Sequence, residues 1–376
     1  MSEAPDFKIG DYVISRNSRP FVIAEISANH GGSLESALRL IDLAAETGAA
    51  AVKLQHYRPE TITIRSELPE FKVGGGTLWD GSQLFDLYAK AMTPWEWTSE
   101  LFARAKSKGL VCFSSPFDTT AVDFLEEHDV VAYKVASFEL VDIPLIQYIA
   151  RTGRPMIMST GMATVEEIDA AVIAAREAGN SQLALLRCNS GYPANPAEMD
   201  LAAIPYMRDR WGCQVGLSDH TLDSTASIAS IALGASIIEK HIISSRSEGG
   251  PDSAFSSEPA ELTVLIDQIN VAWQSMGAVR FGPSEREKSS IAFRRSLRTT
   301  RILEAGEVIN AGDVRSMRPA GGLAPVHFSE VVGRRVLKKL DVGAPITWGV
   351  LALSDAANDM ILDFDDSSIQ IEGLNP

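Results

Sequence analysis

The stretch Gly216-Leu217-Ser218-Asp219-His220-Thr221, an Ala/Ile/Ser-rich helical segment, and then Ile237-Ile238-Glu239-Lys240-His241 decides the reading of this chain. Each end of it is an apolar run of strand length that closes on a histidine. Two such runs joined by a short helix make a β-α-β unit, and adjacent parallel strands of a barrel end side by side. The pattern predicts that His220 and His241 lie close enough to hold one metal ion. Two imidazoles with positions left for oxygen ligands suit Mn²⁺, Mg²⁺ or Zn²⁺ in a catalytic site.

The same alternation extends in both directions. Apolar runs at Phe21–Ser27, Ala51–Tyr57, Leu110–Phe117, Val131–Ser137, Met156–Gly161 and Leu183–Asn189 precede those at Gln214–Asp219 and Ser236–Ile242, each followed by a segment of helical period. Near-continuous apolar strands are buried on both faces. Ser33 with Ser36, and Thr164 with Glu167, read as helix N-caps, and Gly48, Gly109, Gly153, Gly179 and Gly234 as helix stops. Eight β-α units over residues 20–280 predict a (β/α)₈ TIM barrel rather than a doubly wound open sheet.

Around the barrel the chain divides further. Residues 1–19 read as an N-terminal β-hairpin turning at Asn17-Ser18. Residues 58–92 form an insertion that leaves the C-terminal end of the second strand, where barrels carry lids and specificity loops. Gly282-Pro283-Ser284 falls in a linker, 281–297, before a small β-rich domain, 298–353. The acidic tail 354–376 carries Asp355, Asp359, Asp363, Asp365, Asp366 and Glu372 without a lysine or arginine.

A formal charge of -15 excludes a nucleic-acid partner, and an anionic substrate needs a local positive pocket. No run of about 18 apolar residues suggests a membrane span. Cys112, Cys188 and Cys213 sit in apolar runs and read as reduced core thiols of a cytoplasmic protein.

Reacting groups of a barrel sit at strand ends. Those positions hold Glu25, Lys53 with Gln55, Ser114 with Ser115, Lys134 with Ser137 and Glu139, Thr160, Asn189 with Ser190, Ser218 with His220, and Glu239 with His241. Buried lysines beside hydroxyls point to a phosphate or carboxylate site, although a single one also suits an ion pair between strands. Alternation turns Lys240 away from Glu239 and His241. His30 either faces the same cavity or caps the first helix.

Ala24–Gly31, Val52–Gln55, Phe113–Phe117, Tyr133–Ser137, Gly216–Thr221 and Glu239–His241 resemble the sialic acid synthase family. Gly76–Gly81, Thr93–Trp97 and Gly249–Ser256 resemble its pseudaminic acid synthase branch, and the segment with Arg315–Pro319 resembles the antifreeze-like (SAF) domain that follows the barrel there. The resemblance implies condensation of phosphoenolpyruvate with an open-chain N-acetylated sugar, releasing phosphate. It implies Mn²⁺ or Mg²⁺ on His220 and His241, and phosphoenolpyruvate held by Lys53, Ser114, Lys134, Ser137, Ser190 and Ser218. Glu139 would take the proton of the added water, and Glu25, Gln55, Tyr192, Asp252 and Phe293 would contact the sugar. Arg318 would reach in from the second subunit of a domain-swapped homodimer. Ser190 departs from the asparagine of the neuraminate branch, and Arg318-Pro319-Ala320 from the usual glycine after proline. Other readings are a neuraminate or legionaminate synthase, a Schiff-base aldolase using Lys53 or Lys134, and a non-catalytic sugar-binding protein.

Overall fold

Gln214–Ser218 and Ile237–His241 are neighbouring parallel strands, paired Gly216 to Ile237 and Ser218 to Glu239. The computed structural model describes residues 4–74, 76 and 78–353. Its first unit, to Gly277, opens with strands β1 (Phe7–Ile9) and β2 (Tyr12–Ile14). The barrel strands are β3 (Phe21–Glu25), β4 (Ala51–His56), β5 (Val111–Pro116), β6 (Tyr133–Val135), β7 (Met156–Ser159), β8 (Leu183–Cys188), β9 (Gln214–Ser218) and β10 (Ile237–His241). They close into one barrel, with β10 pairing to both β9 and β3.

The hairpin turns at Gly10-Asp11, not at Asn17-Ser18. Phe7 pairs with Ile14 and Ile9 with Tyr12, which leaves a two-residue loop, and Gly10 takes the positive φ of 57° that such a loop needs. Asn17-Ser18 instead belongs to a turn in which Ser18 N donates to Ser15 O.

Helices coat the barrel because each has one apolar face. Helix α1 (Leu34–Glu46) buries Ala37, Leu40, Ile41 and Ala44, spaced three, four and seven apart. Ser33 caps it through Ser36 N, and the Thr164–Glu167 capping box starts Val165–Glu177. Burying each such leucine or isoleucine stabilises the barrel by roughly 1.5–3 kcal/mol. The described residues of the insertion include helices α2 (Pro59–Ile62) and α3 (Leu84–Ala91) and a bridge from Lys72 to Gln83.

The second unit, from Ala278, has its own core of Leu297, Leu303, Ile309, Val314, Val331, Val336 and Ile346. Its strands β11 (Ser296–Thr299) and β12 (Val314–Met317) are antiparallel. Ser296 and Leu297, placed by sequence in the linker, are therefore part of its sheet. The rest of that linker is mostly a 3₁₀ helix, Glu285–Phe293. The acidic tail lies outside the described residues. Among those residues no helix is long and apolar enough to cross a membrane.

Candidate active site at the barrel's C-terminal end

Strand register sets the centre of the site. Glu25 pairs with Lys53 across β3 and β4, and His241 with Glu25 across β10 and β3. Lys53 Nζ lies 2.8 Å from Glu25 Oε2 and 3.6 Å from Glu239 Oε1, and Lys134 Nζ lies 3.7 Å from the same Glu239 oxygen. Ser218 Oγ donates to that oxygen at 3.4 Å, and Lys53 Nζ donates to Ser115 Oγ at 3.2 Å. All four charged groups are buried. Glu239, absent from the substrate and metal contacts assigned by resemblance, is the carboxylate that both lysines share. Two buried cations point at one strand end with few fixed partners, which makes the place suited to a multiply charged anion.

The charges shape one another. Burial raises Glu25 to about 7, against the opposing pull of Lys53. Burial would raise Glu239 too, but Lys134 and Lys53 hold it below the usual carboxylate range. Burial lowers Lys134. Lys53, despite its burial, is raised by Glu239 and Glu25. A lysine held in its charged form by two carboxylates is a poor amine nucleophile, which weighs against the Schiff-base reading for Lys53.

Alternation separates two neighbouring serines. Gln55 registers with Ser115, and Leu54 with Ser114, so Ser115 shares the inward face with Lys53. Ser114, expected at the anion site, turns outward and bonds His56 Nδ1 at 2.7 Å, whose Nε2 meets Thr98 Oγ1 at 2.8 Å. Ser115 is the inward hydroxyl. Lys240 also points outward, to Asp219 Oδ2 at 3.2 Å and Thr221 O at 2.6 Å, and is a structural ion pair. His30 accepts from Gly32 N within its own turn and packs edge-on to Trp97.

His220 and His241 have ring centroids 5.4 Å apart. His220 Nδ1 donates to Asn189 O at 2.8 Å, which leaves Nε2 as the nitrogen that could take a metal. His241 Nδ1 is buried without a hydrogen-bond partner, 3.8 Å from Asp252 Oδ2, and burial holds this imidazole well below its usual value, in the neutral form a metal requires. The pair fits a divalent cation bound by two imidazoles. Among the described residues no three His, Cys, Asp or Glu side chains converge as a complete cage, so oxygen ligands from substrate or water suit the remaining positions. Cys188, read as a plain core thiol, ends β8 beside His220: burial would raise it, but the influence of His220 brings it down to about 7.

The sugar contacts expected from resemblance surround the histidines. Gln55 Nε2 donates to Glu25 Oε1 at 2.8 Å and to Ser27 Oγ at 2.9 Å. Ser27 itself sits at a φ of 45°, backbone strain of the kind found at functional positions. The Tyr192 ring lies 4.4 Å from His220 and 5.0 Å from Phe255. Glu139, in the 3₁₀ turn after β6, has a buried Oε2 without a partner and is raised by burial to about 7.

Ser137 and Ser190 meet over Gly161, whose N–H donates to Ser137 Oγ at 3.2 Å. A Cβ at Gly161 would collide with Ser190 Oγ and come within 2.7 Å of Ser137 Oγ. Gly161→Ala is therefore expected to spread the two hydroxyls and raise the KM for the anionic substrate about tenfold, the worth of one or two hydrogen bonds. The KM for the second substrate should hold, and steady-state kinetics separates the two. Phe293 and Arg318 belong to the second unit, where with Ser290, Arg294 and Arg295 they line a pocket of about 470 Å³.

Fold and site together define a barrel with two buried lysines suited to an anion beside a metal-capable histidine pair. Residues 40–280 match the NeuB family model and residues 294–352 the SAF domain model. The chain is 38% identical over 336 residues to a pseudaminic acid synthase of Campylobacter jejuni (strain 81-176), covering 89% of this chain and 97% of that protein. It is 33% identical to an N,N'-diacetyllegionaminic acid synthase of C. jejuni (strain NCTC 11168), covering 85% and 96%. A crystal structure of an N-acetylneuraminic acid synthetase from Leptospira borgpetersenii in complex with citrate superposes with a TM-score of 0.69 at 31% identity, covering 77% of this chain and 95% of that one. The chain belongs to the NeuB family.

Proposed function

We propose that this enzyme is a cytoplasmic pseudaminic acid synthase, condensing phosphoenolpyruvate with 2,4-diacetamido-2,4,6-trideoxy-L-altrose and releasing phosphate. The observation that carries the chemistry is the buried pair Lys53 and Lys134 sharing Glu239 one strand end from His220 and His241. The choice of sugar rests on the higher identity to pseudaminic than to legionaminic acid synthase, 38% against 33%.

In this reading Lys53, Lys134, Ser115, Ser218, Ser137 and Ser190 bind the carboxylate and phosphate of phosphoenolpyruvate. His220 and His241 hold Mn²⁺ or Mg²⁺, which when bound polarises the sugar aldehyde as a Lewis acid. C3 of phosphoenolpyruvate forms the new bond to C1 of the sugar with the electron pair of its C2–C3 double bond, and the aldehyde oxygen takes a proton from solvent to become a hydroxyl. Asp252, Gln55, Glu25 and Tyr192 orient the sugar. Water adds at C2, one proton passing to Glu139, and the new C2 hydroxyl gives its remaining proton to solvent as the C2–O bond to phosphate breaks and the ketone forms. The proposed assembly is a domain-swapped homodimer in which Phe293 and Arg318 serve the pocket of a second copy.

Phosphate release with candidate sugars tests the reading. Turnover is expected with the diacetamido altrose, to vanish in EDTA and to return with Mn²⁺. Turnover only with N-acetylmannosamine would sink the choice of sugar; turnover untouched by the chelator would sink the metal.

A further inference from the structure

The insertion after β4 brings Trp79 and Tyr88 against aromatic residues of the barrel. Its Trp79 packs on Tyr192 with centroids 5.6 Å apart, and Trp79 Nε1 donates to Pro251 O at 3.0 Å, beside Asp252. From α3, Tyr88 stands edge-on to Tyr57 at 5.8 Å, and Tyr57 stands edge-on to Phe117 at 5.1 Å. Asp252 lies beside the first group, its Oδ2 3.8 Å from His241 Nδ1. Trp79 with Tyr192, and Tyr88 with Tyr57, thus make an aromatic wall in two parts.

Tyr57 is the part of this wall whose chemistry is unspent. It follows the last residue of β4 and is only 2% exposed. Its carbonyl accepts from Trp95 Nε1 at 3.2 Å, which fixes the backbone. Its hydroxyl makes no hydrogen bond to a described residue and is not among the fully enclosed polar atoms that lack a partner, so it opens toward space that a ligand can reach. A group that fits beside it has an apolar face to lie against aromatic rings and an oxygen to accept the phenolic proton. An acetamido group has both, a methyl and a carbonyl; a bare hydroxyl has no methyl.

We propose that Tyr57 is a specificity-determining residue, donating to the acetamido group of the sugar farther from the aldehyde while Trp79 and Tyr88 wall its methyl. The placement follows from β4 lying two strands from β10 around the barrel, with Asp252 Oδ2 3.8 Å from His241 Nδ1. The inference rests on the proposed synthase reading and deepens it by assigning the part of the site that reads the second substituent. A site built to hydrogen-bond a substrate group discriminates strongly against analogues lacking it, because its buried polar atom is then left unpaired.

The test uses the full-length enzyme with Mn²⁺ and saturating phosphoenolpyruvate. It compares 2,4-diacetamido-2,4,6-trideoxy-L-altrose with the same sugar carrying a hydroxyl at C4. Tyr57→Phe is expected to lower kcat/KM for the diacetamido sugar about tenfold and to change that for the 4-hydroxy analogue less than about twofold. The KM for phosphoenolpyruvate should hold, whereas a general packing defect would move it. Trp79→Ala should raise the KM of the diacetamido sugar more than that of the analogue. Equal losses on both sugars, or none, would overturn the inference while leaving the synthase reading intact. Wild-type enzyme that turns over neither sugar would overturn the synthase reading, and this inference with it.

Discussion

Glu239→Ala is expected to destabilise the barrel by about 3–5 kcal/mol, the cost of removing one partner from a buried ionic network. Lys53 would keep Glu25 at 2.8 Å, but Lys134 would keep only the carbonyl of Val135 at 3.3 Å. Burial already lowers Lys134, so without Glu239 it would shed its proton rather than remain charged, and the anion site would lose half its positive charge. Urea unfolding followed on the barrel's own transition measures the stability loss. The double variant Glu239→Ala/Lys134→Met should cost less than the sum of the singles, because the second change removes the buried amine stranded by the first. Additive losses would mean that Glu239 acts by packing alone. Turnover should fall in both variants, since Lys134 is lost as an anion ligand in each.

The barrel was legible because burial on both faces writes each strand as an apolar run, and eight of these repeat at the spacing of β-α units. The histidine pair was legible for the same reason: His241 closes β10, His220 follows β9 by two residues, and the register brings them together. Period-two alternation could have found Ser115 in place of Ser114, because the inward residues of β4 are Lys53 and Gln55, and Gln55 registers with Ser115. Glu239 was visible as a strand-end acid, but no local pattern shows which cations converge on it. That depends on Lys53 and Lys134, more than a hundred residues away in the chain. Tyr57, Tyr88 and Cys188 left less signal, since an aromatic or a thiol in an apolar run reads as core. The contacts of Tyr88 with Tyr57 and of Cys188 with its neighbours are set by tertiary packing of the insertion and of β8. The hairpin turn was misplaced because Asn-Ser resembles a turn pair, while the Gly10 that accepts positive φ lay earlier.

Glu139→Gln is expected to lower kcat by about 10²- to 10⁴-fold, the usual worth of a positioned general base, with little change in either KM. The carboxyl is sterically close to its replacement, and one of its oxygens is buried without a partner, so the amide tests the proton rather than the shape. Burial raises Glu139 to about 7, and a base works only when ionised. Wild-type kcat should therefore fall as pH drops through about 7, and this acid limb should vanish in the variant. Glu25 is raised to a similar value, about 7, but is bonded to Lys53 and Gln55. An acid limb that survives Glu139→Gln at the same pH would transfer the role to Glu25. Stability supplies an independent sign. A carboxyl raised in the folded state above its unfolded value of 4.5 favours folding below that value, and the advantage is lost as pH rises through about 7. The neutral amide carries no such penalty on ionisation. Glu139→Gln should therefore be more stable than wild type at pH values above 7, with the difference closing as the pH is lowered, while remaining the slower enzyme throughout. A variant that loses stability at high pH along with activity would assign Glu139 to holding the turn after β6, not to the chemistry.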